Sequence, residues 1–167
     1  MNSVFRFFLL LFLVSCSVGN SEGDLGLANS YQVQGQGYRF TVDAAKYQRL
    51  DFNRKDPSLC QASFELRGIT RKGNELSLEI ERPKGCAGTY ELVWDGLWQE
   101  SSPRRMQLYL TGLFTTCAEG SEAEVDVIKV DLDKALLGTS SDLFTIYLRE
   151  HCGFRDFNCE GNCELKI

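Results

Sequence analysis

The 167-residue sequence has one histidine, three prolines and two methionines, and it lacks most of the short motifs that carry chemistry. No Cys-x-x-Cys is present, which excludes a dithiol redox centre of that spacing. No Gly-x-Ser-x-Gly is present, which excludes a nucleophile elbow. Gly35-Gln36-Gly37 has too few glycines for a phosphate loop and precedes a strand pattern, not a helix. No Asn-x-Ser/Thr sequon occurs, so nothing marks a glycosylated product. Basic residues number 18 against 23 acidic ones, for a net charge of −5. That balance argues against nucleic acid or an anionic membrane surface as a partner. The basic pairs Arg71-Lys72 and Arg104-Arg105 read as solvated turn residues.

No apolar run after residue 14 is long enough to cross a bilayer, which takes about 20 residues. The run at residues 4–14 is itself too short. With Arg6 before it and small residues after it, this segment has the form of a secretory signal peptide. Its end, Leu13-Val14-Ser15-Cys16, resembles the lipobox of bacterial lipoproteins, in which a leucine and two small or modest residues precede a lipid-modified cysteine. The resemblance covers residues 1–16 only. It implies that residues 1–15 are removed, that the Cys16 sulfur is diacylated and that the new amino terminus is acylated. Several chains, at about 0.8 kcal/mol per buried methylene, make a stable anchor where one is marginal. Ser17, in place of an aspartate, implies the outer membrane of the cell envelope as the destination. Ordinary cleavage after Ser17 would instead discard Cys16 and release a secreted chain. The expected organisation is a signal peptide at 1–15, a lipidated cysteine with a Gly/Ser/Asn-rich tether at 16–29, and a single β domain at 30–167.

From Tyr31 onward the apolar period is two. Tyr38-Phe40-Val42, Cys60-Ala62-Phe64-Leu66, Leu76-Leu78-Ile80, Tyr90-Leu92-Trp94, Met106-Leu108-Leu110 and Phe144-Ile146-Leu148 each alternate with polar neighbours, and Gly, Asn, Pro and Ser fill the gaps. The segment at 125–132 changes phase, which predicts a bulge near Val127. The pattern predicts an all-β chain: an antiparallel sandwich of immunoglobulin-like or similar layout, or a barrel, run as an up-and-down meander. Helix is confined to one short turn at 131–137 (DLDKALL).

Six cysteines follow the anchor: Cys60, Cys86, Cys117, Cys152, Cys159 and Cys163. An even number in an exported chain predicts three disulfides, with fifteen pairings open in principle. A loop of Lys72-Gly73-Asn74 would set Cys60 opposite Cys86, and a turn centred on Ser101-Ser102 would set Cys86 opposite Cys117. Facing Leu92 and Trp94 towards Leu108 and Leu110 favours the first. Cys117 with Cys152 and Cys159 with Cys163 complete that set, and a meander gathers all six at one end of the sheet. A metal site at this cluster, with His151 as a further ligand, is disfavoured by the Cys-x-x-x-Cys spacing and the oxidising compartment. No metal and no cofactor are expected.

No residue is assigned as catalytic. A hydrolytic site would have to pass through His151 or a carboxylate pair such as Glu79/Glu81 or Asp131/Asp133, and solvated faces account for those pairs equally well. Trp94, Trp98 and Tyr109 could form an aromatic ledge or simply belong to the core. Three readings follow. The first is a membrane-anchored, non-enzymatic binding or structural module held through Cys16, with a protein or glycan partner and no nucleic acid. The second is an extracytoplasmic hydrolase. The third is an inhibitor of an extracellular enzyme.

Overall fold

The computed structural model describes residues 30–54, 56, 64–116, 122–138 and 144–166. Among them the alternating segments form β1 (Tyr31–Gln34), β2 (Tyr38–Val42), β3 (Glu65–Lys72), β4 (Glu75–Pro83), β5 (Ala87–Trp94), β6 (Arg104–Thr116), β7 (Ala123–Asp131), β8 (Phe144–Glu150), β9 (Asp156–Glu160) and β10 (Cys163–Lys166). Two helices interrupt them, α1 (Ala44–Phe52) and α2 (Leu132–Ala135). A six-stranded sheet in the order β1-β2-β5-β6-β8-β9 faces a four-stranded sheet in the order β10-β3-β4-β7. The architecture is a sandwich; no barrel closes.

The inward faces are the ones the alternation selects. Phe40, Leu92, Leu108, Leu110, Ile146 and Leu148 from the larger sheet meet Leu66, Leu76, Leu78, Ile80 and Val130 from the smaller, all fully buried in one cluster. At about 25 cal/mol per Å² of apolar surface, this shared face is the main favourable term in folding. As expected, Leu92 and Trp94 pair with Leu110 and Leu108.

The strand order differs from a meander. β2 pairs with β5, and β6 with β8, in parallel. The chain crosses to the other sheet after β2, β4, β6, β7 and β9, and an inward face reads the same in either sheet, so alternation does not distinguish the two orders. The short turn at 131–137 is present as α2, capped by Asp131, whose side chain accepts from the Lys134 amide. A second helix, α1, joins it. Asp43 starts α1 by accepting from the Lys46 amide at 2.8 Å, and Tyr47 and Leu50 pack onto Val93 and Tyr109 of the outer sheet face.

No bulge lies at Val127: β7 pairs with β4 in unbroken register. Val125 and Val127 are more than half exposed on its outer face, while Ile128 and Val130 point inward. The register shifts instead between Leu66 and Gly68, and between Ala87 and Gly88. The β3–β4 turn is the two-residue Gly73-Asn74, since Lys72 pairs with Glu75. The bulge beyond it restores the Glu65–Glu81 register that a three-residue loop would have set.

That bulge reverses the phase of β3, so Ile69 and Arg71 point inward. Arg71 is therefore no solvated turn residue. It is 1% exposed, its guanidinium carbon lies 3.9 Å from the centre of the Phe144 ring, and it donates to the Phe144 carbonyl at 2.6 Å and the Gly73 carbonyl at 3.0 Å.

Cys159 and Cys163 form the expected disulfide, with Cα atoms 5.5 Å apart. Cys86 and Cys152 are each engaged in a disulfide as well. Cys16, Cys60 and Cys117 lie outside the described residues. The cysteines do not gather at one end. Register places Cys86 and Cys152 past the end of the larger sheet where Ala87 pairs with Thr116 and Glu150 with Leu110. Cys159 pairs with Ile146, and Cys163 with Arg71 beside the Gly73-Asn74 turn, towards the opposite end. The reason is the crossing of β9 to β10 between sheets, which a single meander does not contain.

Truncating the buried Arg71 removes both the ring contact and the carbonyl ties. Arg71→Ala is expected to lower the unfolding free energy by about 3 kcal/mol, against less than about 0.5 for Lys72→Ala, as read by urea denaturation.

Candidate functional site

Residues that alternate outward on the larger sheet should meet water, but α1 covers part of that face. Lys46, Arg49, Leu50 and Asn53 fall on one side of α1 by their three- and four-residue spacing. Together with Glu91 of β5, residues 111–113 of β6 and His151, they line an open cavity of about 330 Å³. Glu91 pairs across the strands with Thr111, and the His151 amide donates to the Leu110 carbonyl at 3.0 Å. Three neighbouring strands thus bring Glu91, Thr111 and His151 into one row, and at about 4.8 Å per strand the outer two stand roughly 10 Å apart.

Glu91 is fully buried yet held by three donors. Thr41 Oγ1 donates to its Oε1 at 2.6 Å, Arg39 Nε to Oε1 at 3.0 Å and Lys46 Nζ to Oε2 at 2.6 Å. Burial pushes the carboxyl upward, and the hydrogen bonds from Lys46, Thr41 and Arg39 outweigh it, so its pKa lies below the ordinary glutamate value. A carboxylate so engaged is an electrostatic fixture: its charge is held in place by two cations and a hydroxyl.

His151 is 4% exposed and stands edge-on to Tyr109, ring centres 6.4 Å apart. Its Nδ1 lies 3.6 Å from Cys152 Sγ, and its Nε2 is buried with no hydrogen-bond partner among the described residues. Burial, and then the charge of Arg54, lower its pKa, so the ring is neutral at pH 7. Arg54 is fixed in turn by Asp156 and by the carbonyls of Glu150 and Arg155. Beside the cavity, Tyr109 Oη and Arg149 Nη1 both donate to Asp51, which fastens α1 to the sheet. Arg49 is exposed at the mouth and has no ion-pair partner among the described residues.

A second cleft of about 420 Å³ lies between the sheets at Arg82, Tyr90 and Asp126. Arg82 grips Asp126 through Nε at 2.5 Å and Nη2 at 3.2 Å, and Tyr90 donates to the same carboxylate at 2.8 Å. Its charges are satisfied within the cluster, which makes it a clasp between β4, β5 and β7.

Of the other candidates, Glu81 is held by Arg67 while Glu79 faces solvent. Asp131 caps α2, and Asp133 accepts from Asn74 Nδ2 at 2.7 Å, so neither carboxylate pair acts as a unit. The aromatic ledge does not form. Trp94 and Phe144 are buried in the sandwich with the partly buried Trp98 edge-on to both, and Tyr109 lies on the opposite face under α1. Gly35-Gln36-Gly37 is the turn between β1 and β2. Among the described residues no group of three metal-ligating side chains is close enough to hold an ion, and no helix is long and apolar enough to cross a membrane.

His151 was legible as the sole histidine, but Glu91, Lys46 and Arg49 were not. The available signal was Asp43-Ala44-Ala45, an N-cap ahead of two helix formers. Glu91 sits in Tyr90-Glu91-Leu92, where alternation alone assigns it to solvent. Protein-family models, curated proteins and solved structures give no match to this chain.

Two outcomes check this geometry. The lone histidine gives a single imidazole signal, and its NMR titration should fall below the free value of about 6.5 and move upward in Arg54→Gln. Glu91 has a folded pKa below its unfolded one, so its contribution is complete above about 4.3 and is lost as pH falls through the folded value. Glu91→Gln should cost about 2 kcal/mol at pH 7 and flatten the acid limb of the stability curve in urea denaturation.

Proposed function

We propose that the chain is a lipid-anchored binding module of the cell envelope, held through Cys16, with the cavity between α1 and the outer sheet face as its ligand site. The observation that carries the binding role is the state of the cavity wall: Glu91 is locked by three donors, while Arg49 at the mouth keeps unused hydrogen-bonding capacity among the described residues. Such a wall recognises and orients a ligand. It supplies no activated nucleophile, since Thr111 carries the only hydroxyl of the described lining. The anchor rests on Leu13-Val14-Ser15-Cys16.

His151 within a cavity is the one observation that favours the hydrolase as a second reading. Turnover of a bound ligand that disappears in His151→Gln would decide for it.

For the anchor, mass spectrometry of the native amino terminus should find an acylated Cys16, and Cys16→Ser should move the chain from the membrane to the soluble fraction. An unmodified terminus at Val18 overturns it. For the site, a small-fragment library followed by methyl NMR should give ligands that shift Leu50 and Leu113, with binding lost in Leu113→Trp. Ligands that bind equally well to Leu113→Trp refute the site.

A further inference from the structure

Across about pH 5 to 8 the unperturbed side chain that changes charge is histidine, and this chain has one. The fold keeps it out of water. His151 is 4% exposed, its ring edge-on to Tyr109 of β6, and Tyr109 packs in turn under Tyr47 and Leu50 of α1. The end of α1 closes on the same place. Arg54, two residues past the helix, donates through Nε to the carbonyl of Glu150, the residue before His151, and through Nη2 to the carbonyl of Arg155.

A protonated imidazole carries two N–H donors, and each needs an acceptor when it is buried. Neither is well provided for. Nε2 has no hydrogen-bond partner among the described residues, and Nδ1 has the Cys152 sulfur at 3.6 Å, a weak acceptor. The carboxylates of the neighbouring elements are already committed. Asp51 of α1 accepts from Tyr109 and Arg149, and Glu91 of β5 from Arg39, Thr41 and Lys46. Glu150 of β8 accepts from Arg155 and the Leu66 amide, and Asp156 of β9 pairs with Arg54. The cations beside them are Lys46, Arg49 and Arg54 on the helix side, Arg149 of β8 and Arg155 of the β8–β9 turn, and the charge of Arg54 acts on the ring directly.

Relief has to come from the helix. The backbone that carries the ring is fixed, because the His151 amide donates to the Leu110 carbonyl at 3.0 Å and Cys152 is engaged in a disulfide. α1 meets the sheet through a small apolar contact and through polar ties that water can replace. We infer that His151 is an acid-sensitive catch for α1: the neutral ring lets the end of the helix sit against the β8–β9 turn, and protonation lifts that end and opens the side of the cavity it lines. The catch is independent of which ligand the cavity takes. Opening lets the ring titrate near about 6.5 while the closed state holds it neutral, so the open state takes up the extra proton and gains as pH falls below that value. Asp51, Glu91 and Asp156 are held below the ordinary carboxylate range by their partners and stay charged throughout, so the change is not driven by their ties.

Native-state hydrogen exchange of the full chain, corrected for the intrinsic rate at each pH, reads the opening of α1. From about pH 6.5 to about pH 5.5 the opening equilibrium of the α1 amides should rise about five- to tenfold, with core amides such as that of Leu78 unchanged. His151→Phe keeps a flat ring that takes up no proton, and its α1 amides should show no rise over the same interval. The single imidazole signal of the parent supplies a check that needs no variant: proton uptake by the ring and exchange in α1 should rise together. Four results overturn the catch: α1 opening that is flat across the interval, a rise that Leu78 shares equally, a rise of the same size in His151→Phe, or a ring that protonates while the α1 amides stay protected.

Discussion

Charge taken out of water has to be matched at once, and in this sandwich that requirement ties the elements together at three places. Arg71 of β3 reaches across the core to the ring and carbonyl of Phe144 in β8. Glu150 at the other end of β8 is fully buried and accepts from the Leu66 amide of β3 at 2.6 Å and from Arg155. Glu91 gathers β2, β5 and α1 through Arg39, Thr41 and Lys46. The first two ties join opposite sheets and so fix how β3 lies over β8, while the third fixes a helix on the outer face. A buried ion pair adds little net stability over an apolar replacement. Its geometric demand is severe, and the elements carrying its partners have few other ways to sit.

The candidate cavity follows from that demand. Without Lys46 bonded to Glu91, and without Asp51 held by Tyr109 and Arg149, α1 would contribute only Tyr47 and Leu50 to a small apolar contact. Its apolar face is too narrow to set a helix orientation. The polar ties hold it at a height that leaves room between its Lys46–Asn53 side and the β5–β6 ladder, and His151, one residue past β8, closes the far end. The cavity is thus built from the ends and outer faces of strands whose inner faces make the core, which keeps its lining apart from the packing.

What could be read from the residues was the alternation, because an inward side chain every second position is dictated by the pleat. Phe40, Leu78, Leu92, Leu108 and Ile146 all fall where that rule puts them. Strand order was not legible, since the same inward face serves either sheet and parallel pairing of β2 with β5 leaves no local trace. Val125 and Val127 misled for a related reason: apolar residues on an outer face carry no mark that separates them from core ones until the neighbouring strand is known. Arg71 was hidden by a bulge three to four residues upstream, and Glu91 by occupying a position that water usually claims. In the candidate site only His151 stood out, by its rarity, because the other lining residues acquire meaning from a helix that crosses over them.

The Cys159–Cys163 bridge spans a crossing between sheets, from β9 at one edge of the larger sheet to β10 at one edge of the smaller. The bridge closes a five-residue turn with Gly161 in the left-handed region at its centre, so β10 is tied covalently to the edge of the larger sheet. On the other side, where β2 and β5 look across at β7, the tie between the sheets is the Arg82–Asp126–Tyr90 cluster. One side of the sandwich is thus shut by a bond that only reduction breaks, the other by polar contacts that one group can exchange for another.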